Sequence, residues 1–253
     1  MAFTSDSSEE ILRARVEDVV RLCEKRDVPC YLGFLDLREQ ASVRRILTGM
    51  PAVSWRLYGG YDDAERCVLS VYPDYFDPEH LDFPIRCIGF RYRSVRALSH
   101  RDFLGTLLAT GIRRDKIGDI LCSDGFSVVF LRDEIADFIC EQIDRIGGEG
   151  VTLIPDYNGE IPCEHAYEFL RETIVSPRLD VIVKTLIHCS REKATEMIRS
   201  GFVSVDHTPT DNVSAVLTAP CTVSVRGFGR YLVDQIGPET KKGRLALHAR
   251  KNI

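Results

Sequence analysis

Apolar positions first recur at helical spacing over Ile11, Leu12, Val16, Val19, Val20 and Leu22, where steps of three and four gather them on one face. A second helix is predicted over Leu37 to Leu47. Asp36 stands at its N-cap, Glu39 three residues on in a capping-box position, and Gly49 as its stop. Two short apolar runs, Val53 to Tyr58 and Cys67 to Tyr72, read as strands on either side of Gly59-Gly60-Tyr61. Prolines then break the pattern, and the stretch from Pro73 to Pro84 is the first candidate linker.

Beyond the linker the period switches between two and 3.6. Ile85 to Arg93 reads as a strand, Ser99 to Thr110 as a helix ended by Gly111, and Ile120 to Cys122 as a strand. Ser123-Asp124-Gly125 turns the chain into a strand over Ser127 to Leu131. A helix follows from Glu134 to Ile146, stopped by Gly147-Gly148, and then a last strand over Val151 to Ile154. This β-α-β-β-α-β order is the ferredoxin-like pattern, shared by RRM domains and by many unrelated proteins. The aromatic RRM signature is missing, and although Phe90, Tyr92 and Phe130 could serve as stacking platforms, strand aromatics are more often core or ordinary surface.

A second linker, Pro155 to Pro162, precedes a short helix expected over Cys163 to Glu172. Helices over Leu179 to Ile187 and Arg191 to Ser200 follow, then a strand over Phe202 to Val205, a loop with Pro209 and Pro220, and strands over Thr222 to Val225 and Tyr231 to Ile236. No repeat of fixed period is visible. The chain is thus read as α+β in three small domains, residues 1–80, 84–156 and 163–253, the last opening with the short helix.

Composition agrees with this division and narrows the chemistry. At 253 residues, 44% apolar and 28% charged, the chain has the balance of a folded soluble protein. No apolar stretch is long enough to span a membrane and the N-terminus is acidic and polar, so a cytoplasmic protein without membrane contact is expected. The nine cysteines are scattered with no C-x-x-C pair, and Cys163-Glu164-His165 is too isolated for a metal, so no metal, disulfide framework or cofactor is expected. Net charge is -5, but it divides unevenly. From Arg178 onward 12 basic residues stand against 7 acidic ones, leaving residues 1–177 at -10. A basic module on an acidic body is the footprint of localised phosphate binding.

Within the basic module the apolar residues of both helices fall on single faces, which turns Lys184, Arg191, Lys193 and Arg199 outward. Ser190 is placed to cap the second helix, whose N-terminus adds partial positive charge and free N–H donors. Further on, Arg226 and Arg230 flank a turn made with Gly227 and Gly229, residues that let a backbone bend sharply and meet a ligand closely. Lys241-Lys242-Gly243-Arg244 adds a last basic cluster. In the middle segment Arg113, Arg114 and Lys116 form a basic loop, for which a second RNA contact and a solvated loop are equally open on charge alone.

Several of these residues fall into a familiar order. Arg178-Leu179-Asp180, Ser190-Arg191-x-x-Ala194, Ile198, Gly201-x-Val203-x-Val205 and Arg226-Gly227-x-Gly229-Arg230 resemble the S4 RNA-binding domain, of αL type. The rest of the chain resembles the YlmH family of bacterial S4 proteins, in Leu35-Asp36-Leu37-Arg38-Glu39-Gln40, Gly59-Gly60-Tyr61-Asp62-Asp63-Ala64-Glu65-Arg66, Leu98-Ser99-His100-Arg101-Asp102-Phe103-Leu104-Gly105, Arg113-Arg114-Asp115-Lys116-Ile117-Gly118-Asp119-Ile120 and Thr240-Lys241-Lys242-Gly243-Arg244. Asp206 departs from the family's usual Asn, and Pro220-Cys221 from its usual Gly-Asp.

The resemblance implies an N-terminal α+β unit, an RRM-like middle and a C-terminal S4 module. It also implies association with the large ribosomal subunit, with tRNA-bearing stalled complexes in ribosome quality control and, in some bacteria, with cell division. The expected RNA-binding set is Arg178, Lys184, Ser190, Arg191, Lys193, Arg199, Arg226, Arg230, Lys241, Lys242 and Arg244, with Arg113, Arg114 and Lys116 as the second contact. The expected partners are structured rRNA or tRNA, with protein partners for the acidic N-terminal half left open.

Two enzyme motifs fail in context. Arg178-Leu179-Asp180 resembles the R-L-D of pseudouridine synthases but runs into Val181-Ile182-Val183, and Asp180 reads as a helix-start residue near the positive end of the dipole. His100-Arg101-Asp102 lacks the Asn that a kinase catalytic loop needs five residues on, where Leu107 stands. A non-enzymatic RNA-binding protein is the leading expectation. An RNA-modifying enzyme using the S4 module for substrate delivery and a cell-division-linked interaction scaffold are its rivals.

Overall fold

A computed structural model describes residues 5–50, 53–93, 97–162, 167–239 and 243–252. The chain forms two compact units, Met1–Cys163 and Glu164–Ile253.

The first unit opens with α1 (Ser5–Arg26), β1 (Cys30–Leu35), α2 (Leu37–Thr48), β2 (Ser54–Tyr58) and β3 (Cys67–Tyr72). The predicted capping box is present: the Glu39 N–H donates to Asp36 Oδ1 and the Asp36 N–H to Glu39 Oε2, both at 2.8 Å. The strands pair antiparallel in the order β1-β3-β2. Their inner face packs on Val16 and Val20 of α1 and Val43 and Ile46 of α2.

The chain continues through β4 (Ile85–Arg91), α3 (His100–Ala109), β5 (Ile117–Ser123), β6 (Phe126–Arg132), α4 (Asp133–Gln142), the small hairpin β7 (Arg145–Ile146) and β8 (Glu149–Gly150), and β9 (Thr152–Ile154). The second sheet runs β5-β6-β4-β9, all antiparallel, so the predicted order of elements is the observed one apart from the added hairpin.

Alternate residues of β6 enter two different cores. Val129 and Leu131 join Phe103 and Leu107 of α3 and Ile139 of α4, whereas Val128 and Phe130 meet Phe34 of β1 and Val68 of β3. Burial on both faces is why β3 and β6 read as nearly continuous apolar runs. The aromatics expected as candidate platforms are therefore interior: Phe90 and Tyr92 lie in the core under the helices, and Phe130 between the sheets.

The seam between the sheets is assembled from three of the quoted motif segments. Asp119, 8% exposed, accepts from the Tyr61 hydroxyl at 2.9 Å and from the Glu65 and Arg66 N–H groups at 2.7 and 3.0 Å. Arg66 donates to the carbonyls of Ile117 and Phe34, and Gln40 to those of Leu35 and Glu65. Gly118 lies so close to the Phe34 ring that a Cβ there would stand 2.6 Å from it.

The second unit contains β10 (Tyr167–Ile174), α5 (Leu179–Leu186), α6 (Arg191–Arg199), β11 (Val203–Val205), β12 (Thr208–Pro209), β13 (Cys221–Val225), β14 (Gly229–Glu239) and β15 (Leu245–Asn252). The short helix expected over Cys163 to Glu172 is not formed in its described part, which is the strand β10. Eight residues of β10 pair with β15, and that ladder overrides a helix-compatible local pattern. Residues 163–166, including Cys163-Glu164-His165, lie outside the described residues.

The antiparallel sheet runs β10-β15-β14-β13-β11-β12, with Ile182 and Leu186 of α5 and Ala194 and Ile198 of α6 packed on Val223, Val225, Tyr231 and Val233. Asp206 and His207 both take left-handed conformations, φ 45° and 64°, in the two-residue turn between β11 and β12. The Asp206 carboxylate accepts the Thr222 N–H at 2.8 Å, so this departure from the family pattern ties the turn to β13.

Candidate nucleic-acid interface

The site grows out of the way α5 begins. Its first N–H groups have no intrahelical acceptor, and a loop supplies them: Leu179 donates to Ala215 O at 2.8 Å and Asp180 to Val213 O at 3.2 Å. This sets the Asp180 side chain under the surface, where the residue is 1% exposed. One carboxylate oxygen accepts from Arg178 Nε at 3.0 Å and the other from Arg191 Nε at 2.7 Å. Asp180 thus does more than complement a helix dipole, because it fixes two arginines from different helices.

Both bonds engage Nε, so the Nη groups of each guanidinium take no part in them. The two side chains are 38% and 58% exposed, so a ligand can reach them. They open onto a groove lined also by Glu192, Thr195, Glu196, Arg199, Ser200, Val213 and Ser214. Formal charge in this groove cancels, with Arg178, Arg191 and Arg199 against Asp180, Glu192 and Glu196. Any phosphate recognition here comes from the two arginines that Asp180 positions rather than from an excess of charge.

Burial pushes the Asp180 carboxyl up, but the hydrogen bonds and charges of Arg178 and Arg191 outweigh it, and the group sits below its ordinary 3.8. A depressed folded-state value means that this stabilisation is fully present above the unfolded value and is lost as pH falls through the folded one. The stability gap between wild type and Asp180→Asn is therefore expected to stay constant from about pH 7 to about pH 5 and to close below about pH 4. Urea unfolding at stepped pH measures it, and a gap undiminished at about pH 3 would remove the assignment.

The remaining expected residues are distributed unevenly. Ser190 caps α6, its hydroxyl accepting the Lys193 N–H at 3.1 Å, which is a structural task. Lys193 pairs with Glu196 at 3.1 Å, and Lys184 is exposed on the last turn of α5, outside the groove. Arg226 lies at the turn after β13, its guanidinium 5.3 Å from the Phe202 ring centroid, and Arg230 lies opposite Ser224 on β14. Arg244 is exposed before β15, while Lys241 and Lys242 lie outside the described residues. In the first unit the cations of the 113–116 loop are engaged within the fold. Arg113 pairs with Asp115, Lys116 with Glu134, and Arg114 donates to the Ile117 and Gly118 carbonyls. Burial, reinforced by Arg66, lowers the Arg114 guanidinium to about 10.

Sequence reasoning missed the role of Asp180 and the two exposed phenylalanines, Phe202 and Phe228. The signal for the first was an acidic residue set among Leu179, Val181, Ile182 and Val183, a poor place for a charge without partners.

Comparison with known proteins adds three findings. Residues 78–157 match the family model described as "Putative RNA-binding domain in YlmH". The chain is 32% identical over 216 residues to "Ribosome-associated protein quality control protein P2" of Bacillus subtilis (strain 168), an alignment covering 83% of this chain and 82% of that one. The solved structure "Cell division protein ylmH from Streptococcus pneumoniae" matches with a TM-score of 0.53 at 19% identity, over 61% of this chain and 93% of that one. At that identity the likeness speaks for the fold alone.

Proposed function

Because the chain belongs to the YlmH family, we propose that it is a non-enzymatic protein that docks on structured ribosomal or transfer RNA, at the large ribosomal subunit, in ribosome quality control. The matched family model is described as RNA-binding and the B. subtilis relative is named as ribosome-associated, which supports the general role. We read the second unit as the S4 module and anchor, and residues 84–156 as an RRM-like domain beside the N-terminal α+β domain. Primary RNA contact is assigned to the S4 module because Phe90, Tyr92 and Phe130 of the middle sheet are interior and Arg113 and Lys116 of its basic loop pair with Asp115 and Glu134. The observation that carries the reading is the pair of guanidinium groups held by the buried Asp180 at the mouth of an open groove.

Sedimentation with ribosomal subunits through a sucrose gradient at low salt tests this. Wild type is expected to co-migrate with large subunits, and Arg178→Ala and Arg191→Ala to lose that association. On isolated ribosomal RNA, Arg191→Ala is also expected to flatten the log–log salt dependence of affinity by about 0.7–0.9, the loss of one phosphate contact. Wild type that stays at the top of the gradient, with both variants indistinguishable from it, would sink the proposal.

A further inference from the structure

The turn between β13 and β14 carries a feature that phosphate recognition leaves unexplained. Val203 and Val225 beside it are buried, so the local core is complete, yet Phe202 is 41% and Phe228 42% exposed. The Arg226 N–H donates to Phe202 O at 2.9 Å, and the Arg226 guanidinium lies over the Phe202 ring. Phe228 is held at the tip by its own N–H bond to Val225 O, also 2.9 Å. Gly227 between them has φ 85° and nothing within 4 Å of where a Cβ would stand, so the tip is open to a ligand.

We propose that this tip is a base-stacking element, and that the RNA it takes carries an unpaired, unstacked nucleotide; the inference rests on the RNA-binding reading above. An arginine stacked on an aromatic ring keeps its N–H edge available for phosphate while its flat face extends the ring surface. Bases inside an A-form helix are already stacked and offer no face, so only a bulged, looped or end nucleotide can use these rings. The geometry gives this base a fixed relation to the arginine fork. Arg191 begins α6 and Phe202 stands three residues past its end, and nine residues at about 1.5 Å each make that helix about 13 Å long. A single strand can touch both. These arginines favour nucleic acid over an apolar protein surface, because an Arg fork and an Arg-backed ring are both suited to a polyanion with flat bases.

The experiment uses the full chain and protein-free large-subunit ribosomal RNA. Phe202→Leu and Phe228→Leu keep apolar bulk but remove the π face, and each is expected to bind about tenfold more weakly. Phe228→Trp is expected to remain within about twofold of wild type, since it restores a stacking face. Ultraviolet crosslinking with mass-spectrometric mapping is expected to place adducts on Phe202 or Phe228, joined to nucleotides unpaired in the RNA. Leucine variants that bind like wild type while Arg191→Ala binds weakly would overturn this inference and leave the RNA-binding reading standing. Adducts on paired nucleotides, or a tryptophan variant as weak as the leucine one, would also overturn it. Wild type that does not bind the RNA at all would overturn both readings.

Discussion

Asp180→Ala is expected to weaken RNA binding by about tenfold or more, although it removes a negative charge from a surface proposed to meet a polyanion. Simple charge counting predicts the reverse, which makes the result decisive. The carboxylate holds Arg178 and Arg191 by Nε, and without it both side chains regain rotamer freedom that binding must then remove. The same change is expected to lower the stability of the second unit by about 2–4 kcal/mol, since two charge-assisted hydrogen bonds and the buried group that makes them are lost together. Filter binding and urea unfolding measure the two effects. In a double-mutant cycle, Asp180→Ala and Arg191→Ala should be strongly non-additive for affinity, because the first already disables the second. Tighter binding by Asp180→Ala would show that the fork does not recognise phosphate.

The second large effect is expected in the other unit and should leave RNA affinity alone. Asp119→Ala removes the acceptor that the Glu65 and Arg66 N–H groups and the Tyr61 hydroxyl share at the seam between the two sheets. Buried donors without acceptors cost about 1–3 kcal/mol each, so a loss of about 3–5 kcal/mol is expected in the unfolding of the first unit. Burial raises the Asp119 carboxyl above its ordinary value despite those hydrogen bonds, so the charged form is already held against desolvation. Asp119→Asn keeps one acceptor oxygen and is expected to fall between. Thermal unfolding of the three proteins orders them, and an alanine variant as stable as wild type would mean that the seam does not depend on this residue.

These two carboxylates show what could and could not be read in the candidate site. Arg178, Arg191 and Arg226 were visible as basic residues at helix starts and beside a glycine turn, because such positions follow from local spacing. That Asp180 serves two of them was not visible: its partners lie two and eleven residues away and meet only when α5 packs beside α6. Charge totals misled in a different way. The second unit is basic as a whole, yet its groove is balanced, because a sum along the chain carries no information about which charges become neighbours. The 113–116 loop makes the same point, since its three cations have Asp115, Glu134 and two carbonyls as neighbours.

For the fold, the sequence by itself determined what depends on neighbours within a few residues. The Asp36 and Ser99 capping boxes, the amphipathic faces of α5 and α6 and the β-α-β-β-α-β order are set by side-chain spacing and by hydrogen bonds of short reach. Only the tertiary structure decided β10 and β15. Tyr167–Ile174 and Leu245–Asn252 contain Leu, Ala, Glu, Arg and Lys, residues content in a helix, and each becomes a strand because the other offers it an eight-residue ladder. The same holds for the second faces of β3 and β6, whose continuous apolar runs announce burial on both sides without saying what covers them. Periodicity records how much of a strand avoids water; which surface it meets is settled by contacts far apart in the chain, and those exist only once the chain has folded.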